Sequence, residues 1–183
     1  NRFFPKESAP NDDATKLTPF VLSDEIEDQI DPATGKSDID VAADFMRLLG
    51  PPPAVTLTFS AAGGRTLFEQ LGCALCHTPM MVTGPNRIAA LSMKQAFLYS
   101  DLLLHDMGTL GDGIAQADAG TREMRTAPLW GLRVSAPYLH DGRATTVNEA
   151  ILAHDGEAKN SQKRYLRLTD TQRKQLLEFL NSI

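Results

Sequence analysis

The sequence predicts an all-α domain in which short helices bracket long loops, preceded by an extended N-terminal arm. Three observations predict it. Leu67, Phe68 and Leu71 recur at helical spacing within Gly63 to Gly72. Thr146-Val147-Asn148-Glu149 and Thr169-Asp170-Thr171-Gln172 are capping boxes, the second opening a run with Leu176, Phe179 and Leu180 on one side. Between these segments no run of β-branched residues reads as a strand.

Composition narrows the class of protein. The chain has 183 residues, 42% hydrophobic and 22% charged, enough for one core with an appended arm. A net charge of −5 with no Lys/Arg block argues against a nucleic-acid partner. Apolar runs such as Phe97-Leu98-Tyr99 are soon cut off, here by Ser100 and Asp101, and none approaches a membrane span.

The arm covers residues 1 to 36. Pro5, Pro10, Pro19 and Pro32 punctuate it, a short helix is expected around Asp24 to Gln29, and Asp31-Pro32-Ala33-Thr34-Gly35 reads as a turn. Ser37 to Leu49 is a better helix. Ser37 caps it, Asp38 and Asp40 suit its positive end, and Val41, Phe45, Leu48 and Leu49 form one stripe. Gly50 and Pro51-Pro52-Pro53 stop that helix and stiffen the link onward, which divides the chain into 1–54 and 55–183.

The second part is organised around Cys73-Ala74-Leu75-Cys76-His77, which uses both cysteines of the chain. C-x-x-C-H is the attachment pattern of a c-type haem: each thiol adds to one vinyl group, and the adjacent imidazole lies under the iron. Other readings are weaker. A thioredoxin-like motif wants a βαβ setting. Zinc on Cys73, Cys76 and His77 lacks a fourth ligand. A disulfide across so small a loop would constrain little of the unfolded chain. One covalent haem c is therefore expected. Because haem c is attached outside the cytoplasm, a periplasmic or otherwise exported protein cut from a longer precursor is expected too.

After His77 the chain is rich in turns, with Gly84-Pro85, Gly108, Gly111, Gly113 and Gly120, and a short helix is expected within 92–104. So long a stretch without regular structure needs a large surface to pack on, which a porphyrin would supply. The first capping box opens a helix from Val147 to Ala153 with His154 at its end, and the second opens the C-terminal helix through Leu180. One helix leading into C-x-x-C-H and another closing the chain is the pattern of cytochrome c folds, hence a cytochrome c-like domain with long haem-wrapping loops.

Several runs together carry a resemblance. They are Gly72–Pro79, Tyr99–Gly108 (Tyr-Ser-Asp-Leu-Leu-Leu-His-Asp-Met-Gly), Arg125–Leu132, Ala136–Ala144 (Ala-Pro-Tyr-Leu-His-Asp-Gly-Arg-Ala) and Glu149–Ala158. Over about residues 37 to 183 the chain resembles the C-terminal half of the di-haem oxidoreductases, also called thiol oxidoreductases, relatives of bacterial di-haem cytochrome c peroxidases. The resemblance implies two cytochrome c domains in one protein. The N-terminal one carries the haem where peroxide reacts, and the C-terminal one takes electrons from a donor and passes them on. The single haem motif here falls in the second type. The implied partners are thus the N-terminal haem domain of the same protein and an electron-donor protein, and this half alone is expected only to carry electrons.

The second axial ligand decides between a carrier and an open, reactive iron. The candidates are His105, His140, His154, Met80, Met81, Met93, Met107 and Met124. By resemblance the distal ligand follows the Tyr-x-His-Asp-Gly motif and its helix, which is where His154 stands, while Met107 remains the alternative. His105 and Met107 are expected to line the haem, and His140 to brace its turn. Met80 and Met81 sit too near His77 to reach the other haem face, and Met93 and Met124 are read as packing. Arg125 and Arg143 suit a propionate, since guanidinium matches a carboxylate fork. Trp130 fits either a haem wall or the ordinary core. The expected cofactor-binding set is Cys73, Cys76, His77, His154, Arg125 and Trp130, with His77 and His154 on the metal. The resemblance also implies a calcium site at the carbonyls of Ser135 and Pro137; calcium wants six to eight oxygens, so in this half it is expected empty or poorly formed. Against the electron carrier stand a haem peroxidase or thiol oxidoreductase with an open or displaceable-ligand haem, and a sensor or assembly module in which haem is structural.

Overall fold

The computed structural model describes residues 29–183. Most of the arm, and all but the last residue of the helix expected at Asp24 to Gln29, lie outside them. The chain divides into two units, Asn1–Gly50 and Pro51–Ile183.

The described part of the first unit is a turn followed by a helix. Asp31 accepts from the backbone of Ala33 and the hydroxyl of Thr34, and Gly35 takes a φ of +68° to close the turn. Helix α1, Asp38–Leu48, opens on a reciprocal capping box between Ser37 and Asp40. Asp44 pairs with Lys36 and Arg47, and these cations help hold its carboxyl below the usual range.

The second unit begins with helix α2, Phe59–Gln70, capped by the Thr58 side chain on the Ala61 amide. It therefore starts four residues ahead of the expected Gly63. Two glycines inside a helix each cost about 1 kcal/mol relative to alanine, and Gly64 has a packing reason. A Cβ placed there would lie 2.0 Å from the Gln175 carbonyl oxygen. The backbone of α2 meets that of the C-terminal helix at this point.

Two small antiparallel sheets correct the all-α expectation. Among the described residues the fold is mixed, with these sheets accompanying five helices. Strand β1, Met81–Val82, pairs with β2, Gln95–Ala96. Strand β3, Leu104–Asp106, pairs with β4, Glu123–Arg125, placing His105 opposite Met124. Strands of two or three residues are too short for alternation to show in the sequence. The helix expected within 92–104 does not form. Met93, Tyr99 and Leu102 hold φ of 53°, 53° and 61°, left-handed values through which a right-handed helix cannot run.

Helix α3, Val147–Ala153, and helix α5, Asp170–Leu180, begin at the two capping boxes, with Thr146 bonded to Glu149 and Thr169 to Gln172. Between them lies helix α4, Lys159–Leu166, which no apolar periodicity announces, since only its Tyr165 is buried. That ring anchors the helix: its hydroxyl donates to Asn148 Oδ1 at 2.6 Å, and the Arg173 guanidinium lies 5.7 Å from its centroid. The core joins Ala61, Phe68 and Leu71 to Val147, Tyr165, Leu176, Phe179, Leu180 and Ile183. Phe68 meets Phe179 edge to face with centroids 5.5 Å apart, and Tyr99 stands 6.0 Å from each. This aromatic cluster is the floor on which the candidate site is built.

Candidate haem site

Helix α2 delivers the C-x-x-C-H run through a forced reversal. Gly72, at φ +87°, ends the helix in the left-handed region, and the chain coils tightly over Cys73–Leu75. The His77 amide then bonds the Cys73 carbonyl at 2.9 Å. The chain thereby holds both thiols and the imidazole on one tight turn.

Cys73 and Cys76 form no disulfide. Burial pushes Cys73 up to about 11, and burial with the nearby Asp101 and Glu157 carboxylates raises Cys76.

His77 is held from two sides. Its ring lies 6.5 Å from Phe68, and its Nδ1 is 3.0 Å from the Tyr99 carbonyl oxygen. A carbonyl only accepts, so Nδ1 carries the proton and Nε2 keeps its lone pair. His154, capping the end of α3, repeats the arrangement: its Nδ1 donates to the Ala150 carbonyl at 2.7 Å. Burial lowers His77 to about 4 and lowers His154 as well, so both rings are neutral at pH 7. The two ring centroids stand 6.3 Å apart with planes inclined at 51°.

That distance tests the fit of an iron between them. A metal–imidazole bond of about 2 Å and a ring radius of about 1.2 Å on each side span roughly 6.4 Å, so the two rings stand at a spacing that one metal ion could bridge. Two neutral imidazoles, each with Nδ1 bonded to a backbone carbonyl and Nε2 without a hydrogen-bond partner among the described residues, have the donor chemistry for one shared iron.

A family comparison matches nearly the whole chain. The family described as "Di-haem oxidoreductase, putative peroxidase" matches residues 3–183. The chain belongs to the di-haem oxidoreductase family. It is thus a haem protein of an oxidoreductase family, as the C-x-x-C-H run and its flanking motifs predict. A search of curated proteins finds no match. Among solved structures the chain is similar to Kuenenia stuttgartiensis hydrazine synthase pressurised with 20 bar xenon. The identity is 20% and the TM-score 0.53 over 76% of this chain and 52% of that one, a likeness of fold alone. The chain spans about half the length of that neighbour.

The other sequence-predicted residues of this family member occupy the loops and strands that follow His77. Arg125 is exposed on β4 and makes no side-chain hydrogen bond or ion pair among the described residues. Trp130 is 38% exposed, just after Leu129, whose amide bonds the Leu98 carbonyl. Arg143 is taken by Asp141, and the exposed His140 sits in the same turn, closed by Tyr138 and Ala144. Met107 bonds the Arg122 carbonyl through its amide and leads into a tight turn. Ser135 donates its hydroxyl to the Gly131 carbonyl at 2.9 Å.

Sequence reasoning missed a network around His105. Its Nε2 lies 2.8 Å from Asp101 Oδ2 and its Nδ1 2.9 Å from Glu157 Oε2. Glu157 and Asp101, whose carboxylates accept, raise its pKa and so favour the doubly protonated ring. Cys76, Asp101 and His105 also lie close enough to suggest a metal cluster. Cys73 and His77 are not in that group among the described residues.

Proposed function

We propose that this chain carries one covalent haem c, attached through Cys73 and Cys76, with His77 as proximal and His154 as distal axial ligand. It acts as the electron-transfer domain that receives electrons within a di-haem oxidoreductase. The observation that carries this reading is the pair of buried imidazoles, 6.3 Å between centroids, with each Nδ1 fixed by a backbone carbonyl. The haem supplies a one-electron iron couple. His77 and His154 would hold it through their Nε2 atoms, Tyr99 and Ala150 fix the tautomers, and the Phe68 ring packs beside His77.

Two nitrogen ligands leave no position for peroxide, which favours a carrier over a peroxidase or thiol oxidoreductase in this half. Such a pair would hold the potential below that of a His/Met pair, because a thioether raises it. The partners proposed are a second haem domain of the same protein and an external electron-donor protein. The location proposed is the periplasm, where haem c is attached; among the described residues no helix is long and apolar enough to cross a membrane.

The test is the visible spectrum of the purified haem protein, oxidised and reduced, beside His154→Ala. The expected result is a low-spin wild type and a high-spin variant, with haem retained through acid–acetone extraction in both. A high-spin wild type would mean an open iron and move the peroxidase reading ahead.

A further inference from the structure

The three residues after His154 are fastened to a distant loop, residues 105–109, by contacts that the ligand role does not require. Glu157 accepts from the Asp106 amide at 3.0 Å through Oε1 and from His105 at 2.9 Å through Oε2. Asp155 accepts from the Thr109 hydroxyl at 2.7 Å and from its amide at 3.3 Å. Between them Gly156, at φ +55°, lies flat against the loop: a Cβ there would fall 2.1 Å from the Asp106 carbonyl oxygen. Gly108, at φ +57°, returns the contact, since a Cβ on it would sit 2.9 Å from the Gly156 amide nitrogen.

The same loop is tied to the other side of the site. His105 Nε2 donates to Asp101, and the Asp101 amide donates to the Cys76 carbonyl at 2.8 Å. A continuous line of hydrogen bonds thus runs from Cys76, next to His77, through Asp101, His105 and Glu157 to the segment that leaves His154. His154 itself caps a helix of seven residues, too short to hold its terminus rigid unaided.

We propose that His105 and Glu157 are positioning residues that hold His154 on the iron, joining the distal segment to the haem-attachment turn. The inference rests on His154 as the distal ligand. His105 takes no part in ligation, because both of its nitrogens are occupied by carboxylates. Its effect is on the rate at which His154 can swing away and admit another ligand. A mobile anchor lets the distal imidazole leave, and a fixed one holds it within the half-ångström tolerance that a bound metal site requires.

The experiment follows carbon monoxide binding to the reduced haem protein, with melting temperature measured alongside. Glu157→Gln keeps an oxygen for the Asp106 amide and loses the charge that holds His105, so it is the variant least able to disturb folding. Glu157→Gln and His105→Asn are each expected to bind carbon monoxide roughly tenfold faster than wild type, the order expected for losing one charge-assisted hydrogen bond. The double variant should add little, because the two changes break the same link. Asp141→Asn, which breaks an ion pair in another turn, should bind no faster than wild type. If His154→Ala admits carbon monoxide freely while Glu157→Gln binds it no faster than wild type, the positioning role is overturned. If His154→Ala leaves the iron low-spin, the ligand assignment fails, and the positioning role fails with it.

Discussion

His105 shows how one side chain can report on the polypeptide's condition. Its partners Glu157 and Asp101 raise its pKa above the ordinary 6.5, so the folded state binds a proton that the unfolded state releases sooner. The sign follows from linkage. Stability from this group is complete below about pH 6.5 and is lost as pH rises through the raised folded value. Glu157 is 57% exposed, so solvent screening keeps the effect small. The expected outcome is a melting temperature that falls between neutral and mildly alkaline pH in wild type and falls less in His105→Asn. A profile identical in both would rule out a stabilising imidazolium. The Cys76–His105–Glu157 line was not legible in the sequence. Its residues are separated by 29 and 52 positions, and nothing in either run marks the other as its partner. The helix that His154 ends, by contrast, was legible from the capping box ahead of it.

At the scale of elements, the crossing of α2 and α5 fixes where the C-x-x-C-H turn begins. Gly64 is buried where the two backbones meet, and a Cβ would also lie 2.9 Å from the Phe179 Cβ. Gly64→Ala is expected to destabilise the protein by about 1–3 kcal/mol or more, the cost of overpacking a rigid contact. Gly63→Ala meets only the flexible Gln175 side chain, at 3.2 Å, and gains helix propensity of about 1 kcal/mol, so it should be near neutral or stabilising. Thermal or urea unfolding of the two variants side by side checks this; equal losses would contradict the crossing. Helices α3 and α5 were legible because capping is local, carried by residues three apart in Thr146/Glu149 and Thr169/Gln172. Helix α4 was not, since its polar sequence is held by Tyr165 reaching into a core that other segments build. The strands were invisible for the same reason. Leu104–Asp106 becomes a strand only because Glu123–Arg125 lies beside it.

For the whole molecule, a small aromatic and aliphatic core supports loops that the sequence suggests are helical in part and that fold into two short ribbons. Tyr99, left-handed at φ 53°, belongs to both levels: its ring packs in the core and its carbonyl fixes His77. In the proposed ligation the core would hold the proximal ligand His77, and the loop anchored through His105 would hold the distal one, His154. Everything proposed for the haem depends on the identity of that pair. The most direct measurement is the near-infrared ligand-to-iron charge-transfer band of the oxidised protein, read by magnetic circular dichroism. Ligation by His77 and His154 predicts the band of a low-spin iron between two imidazole nitrogens. A band characteristic of nitrogen and thioether sulfur would make a methionine such as Met107 the ligand, and a high-spin signature would leave the iron open; either result contradicts the His77–His154 pair.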